Sequence, residues 1–189
     1  MLCLVVFLAC ISVSGDAEDK FSVSEKLIAQ IDYSSWIPET LKVSPDSRRV
    51  AYVAGLGYKL FVVVDGKEEK QYDGIGEDTL IFSPDSKRVA YFAGVGDKQF
   101  VVVDGNEEKQ YDAIGNGTLI FSPDSKHVAY FAGVGDKRFV VVDGKEGKQY
   151  DGIGEGTPIF SPDSKRVAYA ARVGDKWLMV VDGKEEKQY

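Results

Sequence analysis

Cysteine is almost missing from this chain. Cys3 and Cys10 are its only two, both at the extreme N-terminus. The rest of the sequence can therefore form neither a disulfide framework nor a thiolate metal site, and packing and backbone ladders must hold it together. Histidine is scarcer still. His127 is the single one in 189 residues, so a Ser-His-Asp triad would have to be built around that one position. Basic residues do not dominate either. Lys and Arg number 23 against 30 Asp and Glu, for a net charge of −7 with the signs interleaved. No basic patch is offered to nucleic acid or to an anionic membrane surface. No stretch carries sustained helical periodicity. What is present is 44% apolar and 12% aromatic content, enough for a packed core and too much for a globally disordered chain.

One continuous apolar run stands out, Leu2 to Val13. It is too short for a transmembrane helix, which needs about 20 apolar residues, and it has the length of the hydrophobic part of a secretory signal. Ser14, Gly15 and Ala17 supply small residues for cleavage, although no Lys or Arg precedes the run. Residues 1–20 are expected to be a signal-peptide-like leader, and the protein to be exported to a periplasmic, cell-envelope or extracellular location. The alternatives are a lipid tether at Cys10, through Phe7-Leu8-Ala9-Cys10, and a buried N-terminal strand.

The remainder is dominated by a repeat. Ser-Pro-Asp-Ser begins at Ser44, Ser83, Ser122 and Ser161, always 39 residues apart. Tyr33, Tyr72, Tyr111, Tyr150 and Tyr189 keep the same period, as do Tyr52, Tyr91, Tyr130 and Tyr169. Residues 34–189 divide into the units 34–72, 73–111, 112–150 and 151–189, preceded by an extension over 21–33 that could serve as a closing outer strand. The second and third units differ at seven positions, and the first unit departs most, over Ser34 to Lys42.

Within the unit 112–150 the pattern predicts four short strands: Thr118 to Phe121, Val128 to Ala132, Phe139 to Val142 and Lys148 to Tyr150. Ser-Pro-Asp-Ser breaks the first from the second, since proline presets φ and Asp and Ser bond back to nearby backbone. Asp143-Gly144 is a hairpin signal. The glycine-rich Gly133-Val-Gly135 and Gly152-Ile-Gly154 segments are expected to be turns, because neither has the lysine and helix of a phosphate loop. The second strand is apolar on both faces, with Val128, Tyr130 and Ala132 on one and Ala129 and Phe131 on the other. A strand buried on both faces needs a sheet on each side. Sheets stacked in this way around an axis make a β-propeller, and the unit is close to blade size. The expected fold is all-β, a propeller of four four-stranded blades, closed or part of a larger or open one; a β-solenoid is the alternative. The chain ends in register at Tyr189, so a truncated propeller or assembly with another chain is also an expectation.

Phe-Ser-Pro-Asp-Ser-Lys followed by Arg or His and Val-Ala-Tyr, at Phe82, Phe121 and Phe160 with Val43 as a variant, resembles the WD-repeat-like propeller unit of TolB-type proteins. The resemblance covers all four units. It implies a propeller fold and an exported binding protein. This sequence places Ser47, Ser86, Ser125 and Ser164 where that family usually has glycine, and it lacks the separate α/β domain of TolB itself, so a translocation role does not carry over. Similar units also form propellers attached to serine peptidases, and a propeller fragment of such an enzyme is the alternative reading.

No catalytic residue is expected. His127 occupies a slot that holds Arg49, Arg88 and Arg166 elsewhere, which marks a surface position. The rows Asp46, Asp85, Asp124, Asp163 and Asp65, Asp104, Asp143, Asp182 could ring a calcium ion, but each sits in a turn where aspartate is favoured for backbone hydrogen bonding. No metal or cofactor is predicted. Near-identical units repeat the same groups, which suits a contact surface rather than a single active site. The units vary at Glu77-Asp78, Asn116-Gly117 and Glu155-Gly156, which are expected on one face with Asp97, Asp136 and Asp175. Trp177 stands in a variable slot as a candidate anchor. These residues are the expected binding surface for a protein, peptide or glycan partner, with no nucleic acid; a homo-oligomer is a further expectation. Asn116-Gly117-Thr118 is in addition a glycosylation sequon.

Overall fold

The computed structural model describes residues 3–12, 22–32 and 34–186. Ser14, Gly15 and Ala17 of the expected cleavage region lie outside the described residues, as do Tyr33 and Tyr189. Cys3–Ser12 (β1) and Ser22–Asp32 (β2) pair antiparallel in a sheet of their own, separate from those of the units.

Each unit folds into one antiparallel sheet, and its strands lie side by side in chain order. The two long central strands are Val50–Leu56 with Lys59–Val64, Val89–Val95 with Lys98–Val103, Val128–Val134 with Lys137–Val142, and Val167–Val173 with Lys176–Val181. Valine, tyrosine and phenylalanine fill them because β-branched and aromatic side chains fit a pleated surface buried on both sides.

The first strand of each unit is broken in the middle. In the third unit Ala113–Ile114 and Ile120–Phe121 pair with opposite ends of Val128–Val134. Between them the chain turns through Gly117 at φ 69°. Thr118 bridges the gap: its hydroxyl donates to the Gly115 carbonyl at 2.7 Å and accepts the Phe131 N–H at 3.1 Å. A side-chain oxygen thus satisfies the backbone donor that a continuous strand would have satisfied. Thr40 and Thr79 do the same in the first two units. The expected Gly-Ile-Gly turn is therefore corrected. Gly152–Ile153 is a strand piece paired with Ala171 and Arg172, since the link between units is too short for a separate turn.

The fourth strand also differs from expectation. It is Lys145–Glu146, not Lys148 to Tyr150. Asp143 (φ 49°) and Gly144 (φ 72°) both take the left-handed conformation, so a two-residue turn closes and pairing resumes directly after it. Tyr150 rejoins the sheet through a single bridge to Arg138.

Successive sheets stack face to face. One buried cluster joins Val53 and Val62 of the first unit to Tyr91 and Phe100 of the second. The next joins Phe92 and Val101 to Tyr130 and Phe139, and the third joins Val140 and Tyr150 to Tyr169 and Leu178. On the outer side of the first unit, Ile31 of β2 packs against Tyr52, Phe61 and Val63. None of these clusters, among the described residues, joins the fourth unit to the first.

The Ser-Pro-Asp-Ser turns fasten the stack. In the second unit the Ser83 hydroxyl donates to Asp85 at 2.7 Å and accepts the Arg88 N–H at 2.9 Å, while Asp85 also accepts the Lys87 N–H. The last serine does something else. Ser47, Ser86, Ser125 and Ser164 all sit at positive φ, between 57° and 67°, a region that favours glycine. Ser86 Oγ accepts the N–H of Asp46 in the preceding unit at 3.0 Å, Ser125 that of Asp85 at 2.9 Å, and Ser164 that of Asp124 at 2.9 Å. The hydroxyl gives a reason for serine at a glycine-like position: it ties each blade to the one before. Arg88 adds to the fastening by donating to the Ser125 and Lys126 carbonyls while its guanidinium lies over Phe121.

Candidate binding clefts

The two ends of each blade are chemically distinct. At one end the Ser-Pro-Asp-Ser turn meets the Asp-Gly hairpin. Asp104 accepts the Val89 N–H through one oxygen and the Arg88 guanidinium through the other, both at 2.9 Å. His127 takes the arginine's place in the third unit, with Nδ1 2.7 Å from Asp143 and its ring stacked on Phe160. Both aspartate rows are thus engaged in local bonding. The hydroxyl of Ser122, ahead of the other partners, holds the Asp124 carboxyl down to about 2.

At the other end lie the hairpin tips. Asp73, Asp112 and Asp151 link adjacent units there: Asp112 accepts the Gly135 N–H at 2.7 Å and the Lys98 ammonium at 2.6 Å. Lys98 and Asp112 hold each other charged, each shifted chiefly by that hydrogen bond. Asp97, Asp136 and Asp175 are exposed at the adjoining tips.

The structure divides the expected binding set. Glu77, Asp78, Asn116 and Glu155 are exposed, but they occupy the break in the first strand, opposite the middle of the second strand. They therefore line the long free edge of each sheet and do not share the hairpin-tip end with Asp97. Sequence reasoning placed them together because the strand break was not anticipated. Glu77 and Asn116 do come together, across the junction of the second and third units, in a cleft of about 330 Å³ that also includes Gln99. Gln99, Gly74 and Gly94 are shared with a second cleft of about 290 Å³ that reaches Asp97 and Lys98 at the tip. Gln99 is the residue that sequence reasoning missed; its carboxamide oxygen accepts the Ile114 N–H at 2.8 Å and closes the back of the cleft. The available signal was its variable slot, which holds Leu60, Arg138 and Trp177 in the other units.

Trp177 lies on the outer face of the fourth blade. It is 48% exposed, on the same face as Met179 at 43% and, further along the sheet, Ile159 at 51%. The valines equivalent to Met179, which are Val62, Val101 and Val140, are buried against the following blade. Among the described residues no group of three or more His, Cys, Asp and Glu is disposed to hold a metal ion, and no helix is long and apolar enough to cross a membrane.

Four stacked four-stranded sheets with these repeated junctions define an all-β chain of the propeller class, open or partial. Its likeness to solved structures is one of architecture. It is similar to the β-propeller domain of the Trilobed protease from Pyrococcus furiosus, at 15% identity over 79% of this chain and 57% of that one, TM-score 0.48. It is also similar to TolB from Acinetobacter baumannii, at 18% identity over 86% and 44%, TM-score 0.45. A third is the periplasmic gluconolactonase of Pseudomonas aeruginosa, at 17% identity over 97% and 66%, TM-score 0.42. The chain thus spans between 44% and 66% of the length of these proteins. No protein-family model matches it, and no curated protein sequence does either.

Proposed function

We propose that this chain is a non-catalytic recognition and scaffold module, exported and built on WD-repeat-like blades of the TolB type, that binds a protein, peptide or glycan along the free edges of its first strands and the adjoining hairpin tips. The observation that carries this reading is where two nearly identical units differ. Of the seven differences between the second and third units, Gly74/Ala113, Glu77/Asn116, Asp78/Gly117 and Gln99/Arg138 fall at the strand break and the variable slot beside it. Glu77, Gln99 and Asn116 line the same cleft. The two central strands of these units differ only at the variable slot, and every buried residue in them is the same. A constant frame carrying most of its variation at one edge is what a contact surface requires, whereas catalysis requires unlike groups to converge once.

Capture from an exported fraction tests it, using the whole chain with two sets of charge reversals. One set is Asp97→Lys, Asp136→Lys and Asp175→Lys at the tips; the other is Glu77→Lys with Asn116→Lys at the cleft. The reading expects at least one set to lose the partner. Capture unchanged by both would sink it.

The second reading, a propeller portion of a larger enzyme such as a serine peptidase, draws on a different observation. In the uncovered apolar face of Ile159, Trp177 and Met179, Met179 stands where the other blades bury a valine. A further blade, domain or copy would cover it, and a longer reading frame or a stable homo-oligomer by mass would distinguish these arrangements from a monomeric binding module.

A further inference from the structure

The remaining three differences between the second and third units are Arg88/His127, Asn106/Lys145 and Glu108/Gly147. His127, Lys145 and Gly147 line one crevice of about 330 Å³ between the third and fourth blades, on the opposite side from the clefts above. At the two preceding junctions a glutamate occupies this place. Glu69 accepts the Tyr91 hydroxyl at 2.7 Å, and Glu108 accepts the Tyr130 hydroxyl at 2.7 Å. The groove at the first junction is bounded by Glu69 and does not reach Tyr91.

At the third junction the glutamate is replaced by Gly147. A β-carbon there would stand 3.5 Å from the Tyr169 hydroxyl. Tyr169 is 3% exposed and forms part of the crevice wall. Its sisters donate to a carboxylate; Tyr169 instead has the Tyr150 hydroxyl as its side-chain hydrogen-bond partner, and the nearby Glu185 carboxylate is held by Lys148. The rest of the wall is apolar at its base, with Val140, Val142 and Val167. Lys145 and Lys165 line it without an ion-pair partner among the described residues, while its acidic groups are committed: Asp143 to His127, Glu146 to Lys109 and Asp182 to Arg166.

We propose that this crevice binds a small free carboxylate with a short apolar stem, seated where Glu69 and Glu108 place their own side chains. The carboxylate accepts the Tyr169 hydroxyl, the stem lies on the valines, and the two lysines favour the anion. Propionate is the matching probe, because it is the glutamate side chain with hydrogen in place of the backbone bond.

The test is calorimetric titration of the full chain with propionate, with propionamide as the uncharged control. The expected result is saturable binding at one site, weakened about tenfold or more for propionamide or in Tyr169→Phe, since a hydrogen bond to a charged group is lost. Gly147→Glu should abolish binding by restoring the contact of the other two junctions; Gly147 does not take the left-handed conformation, and the new β-carbon, 3.1 Å from the Val140 carbonyl, needs a shift of a few tenths of an ångström. Glu108→Gly should open a second site and raise the stoichiometry to two. Absence of saturable binding, equal binding of propionamide, or binding unchanged in Gly147→Glu would overturn the proposal. Unchanged stoichiometry in Glu108→Gly would overturn its premise that the missing carboxylate makes the site.

Discussion

Replacing Ser125 separates the two roles that this position combines. Its hydroxyl accepts the Asp85 N–H of the preceding blade at 2.9 Å, and its backbone sits at φ 66°. Ser125→Ala keeps the unfavourable backbone and leaves that N–H without its acceptor, at a cost of about 1.5 kcal/mol. Ser125→Gly loses the same bond but relieves a left-handed L-residue, which is worth about 1 kcal/mol. Its net cost is then about 0.5 kcal/mol. Ser47 is the internal control. It has the same conformation at φ 57°, but it is exposed and holds no preceding unit among the described residues. Ser47→Ala should be nearly neutral, and Ser47→Gly should stabilise by about 1 kcal/mol. With a urea slope of about 2 kcal/mol per molar, the midpoint should fall by about 0.75 M for Ser125→Ala and about 0.25 M for Ser125→Gly. It should rise by about 0.5 M for Ser47→Gly. Equal losses from alanine at 47 and 125, or glycine no better than alanine at 125, would refute the reasoning.

Other perturbations probe the same junctions. Arg88→Ala removes two bonds to carbonyls of the next blade and a stacking contact, and should destabilise by about 1–2 kcal/mol by urea denaturation. Arg166→Ala, whose guanidinium pairs with Asp182 at an exposed site, should cost about 0–1 kcal/mol. Tyr130→Phe should cost about 1.5–3 kcal/mol by stripping Glu108 of its phenol donor, whereas Tyr169→Phe should be close to neutral in ligand-free protein by the same assay. Asp46, Asp85, Asp124 and Asp163 are all held below the usual aspartate range, first by the hydroxyl of the serine two residues earlier. A depressed folded-state value means that their contribution is complete above the ordinary 3.8 and is lost as the pH falls towards about 2 for Asp124. The melting temperature should therefore drop through that window. Ser122→Ala should move the Asp124 titration upward by carboxyl NMR; an unmoved titration would assign the shift to another cause.

Much of the frame was legible because each unit repeats the same punctuation. Proline and aspartate in Ser-Pro-Asp-Ser, and aspartate with glycine after Val142, fix turns by local backbone preference, so the two central strands between them followed from residue type alone. The break in the first strand was not legible, because it depends on Thr118 reaching across to the Phe131 N–H, a contact between strands rather than along one. For the same reason the edge residues Glu77 and Asn116 were grouped with the hairpin tips. Serine at the positive-φ position looked like a departure from a glycine pattern; its cause lies 40 residues away, on the preceding blade. The crevice at Gly147 was visible only as one difference among seven until Tyr169 gave it a chemical meaning.

Amide hydrogen exchange at four equivalent residues tests the ordered stacking of the blades most directly. Asp46, Asp85 and Asp124 each donate an N–H to the serine of the following unit, while Asp163 has no following unit among the described residues. The account predicts slow exchange at the first three amides and fast exchange at Asp163. Equal exchange at all four would contradict it.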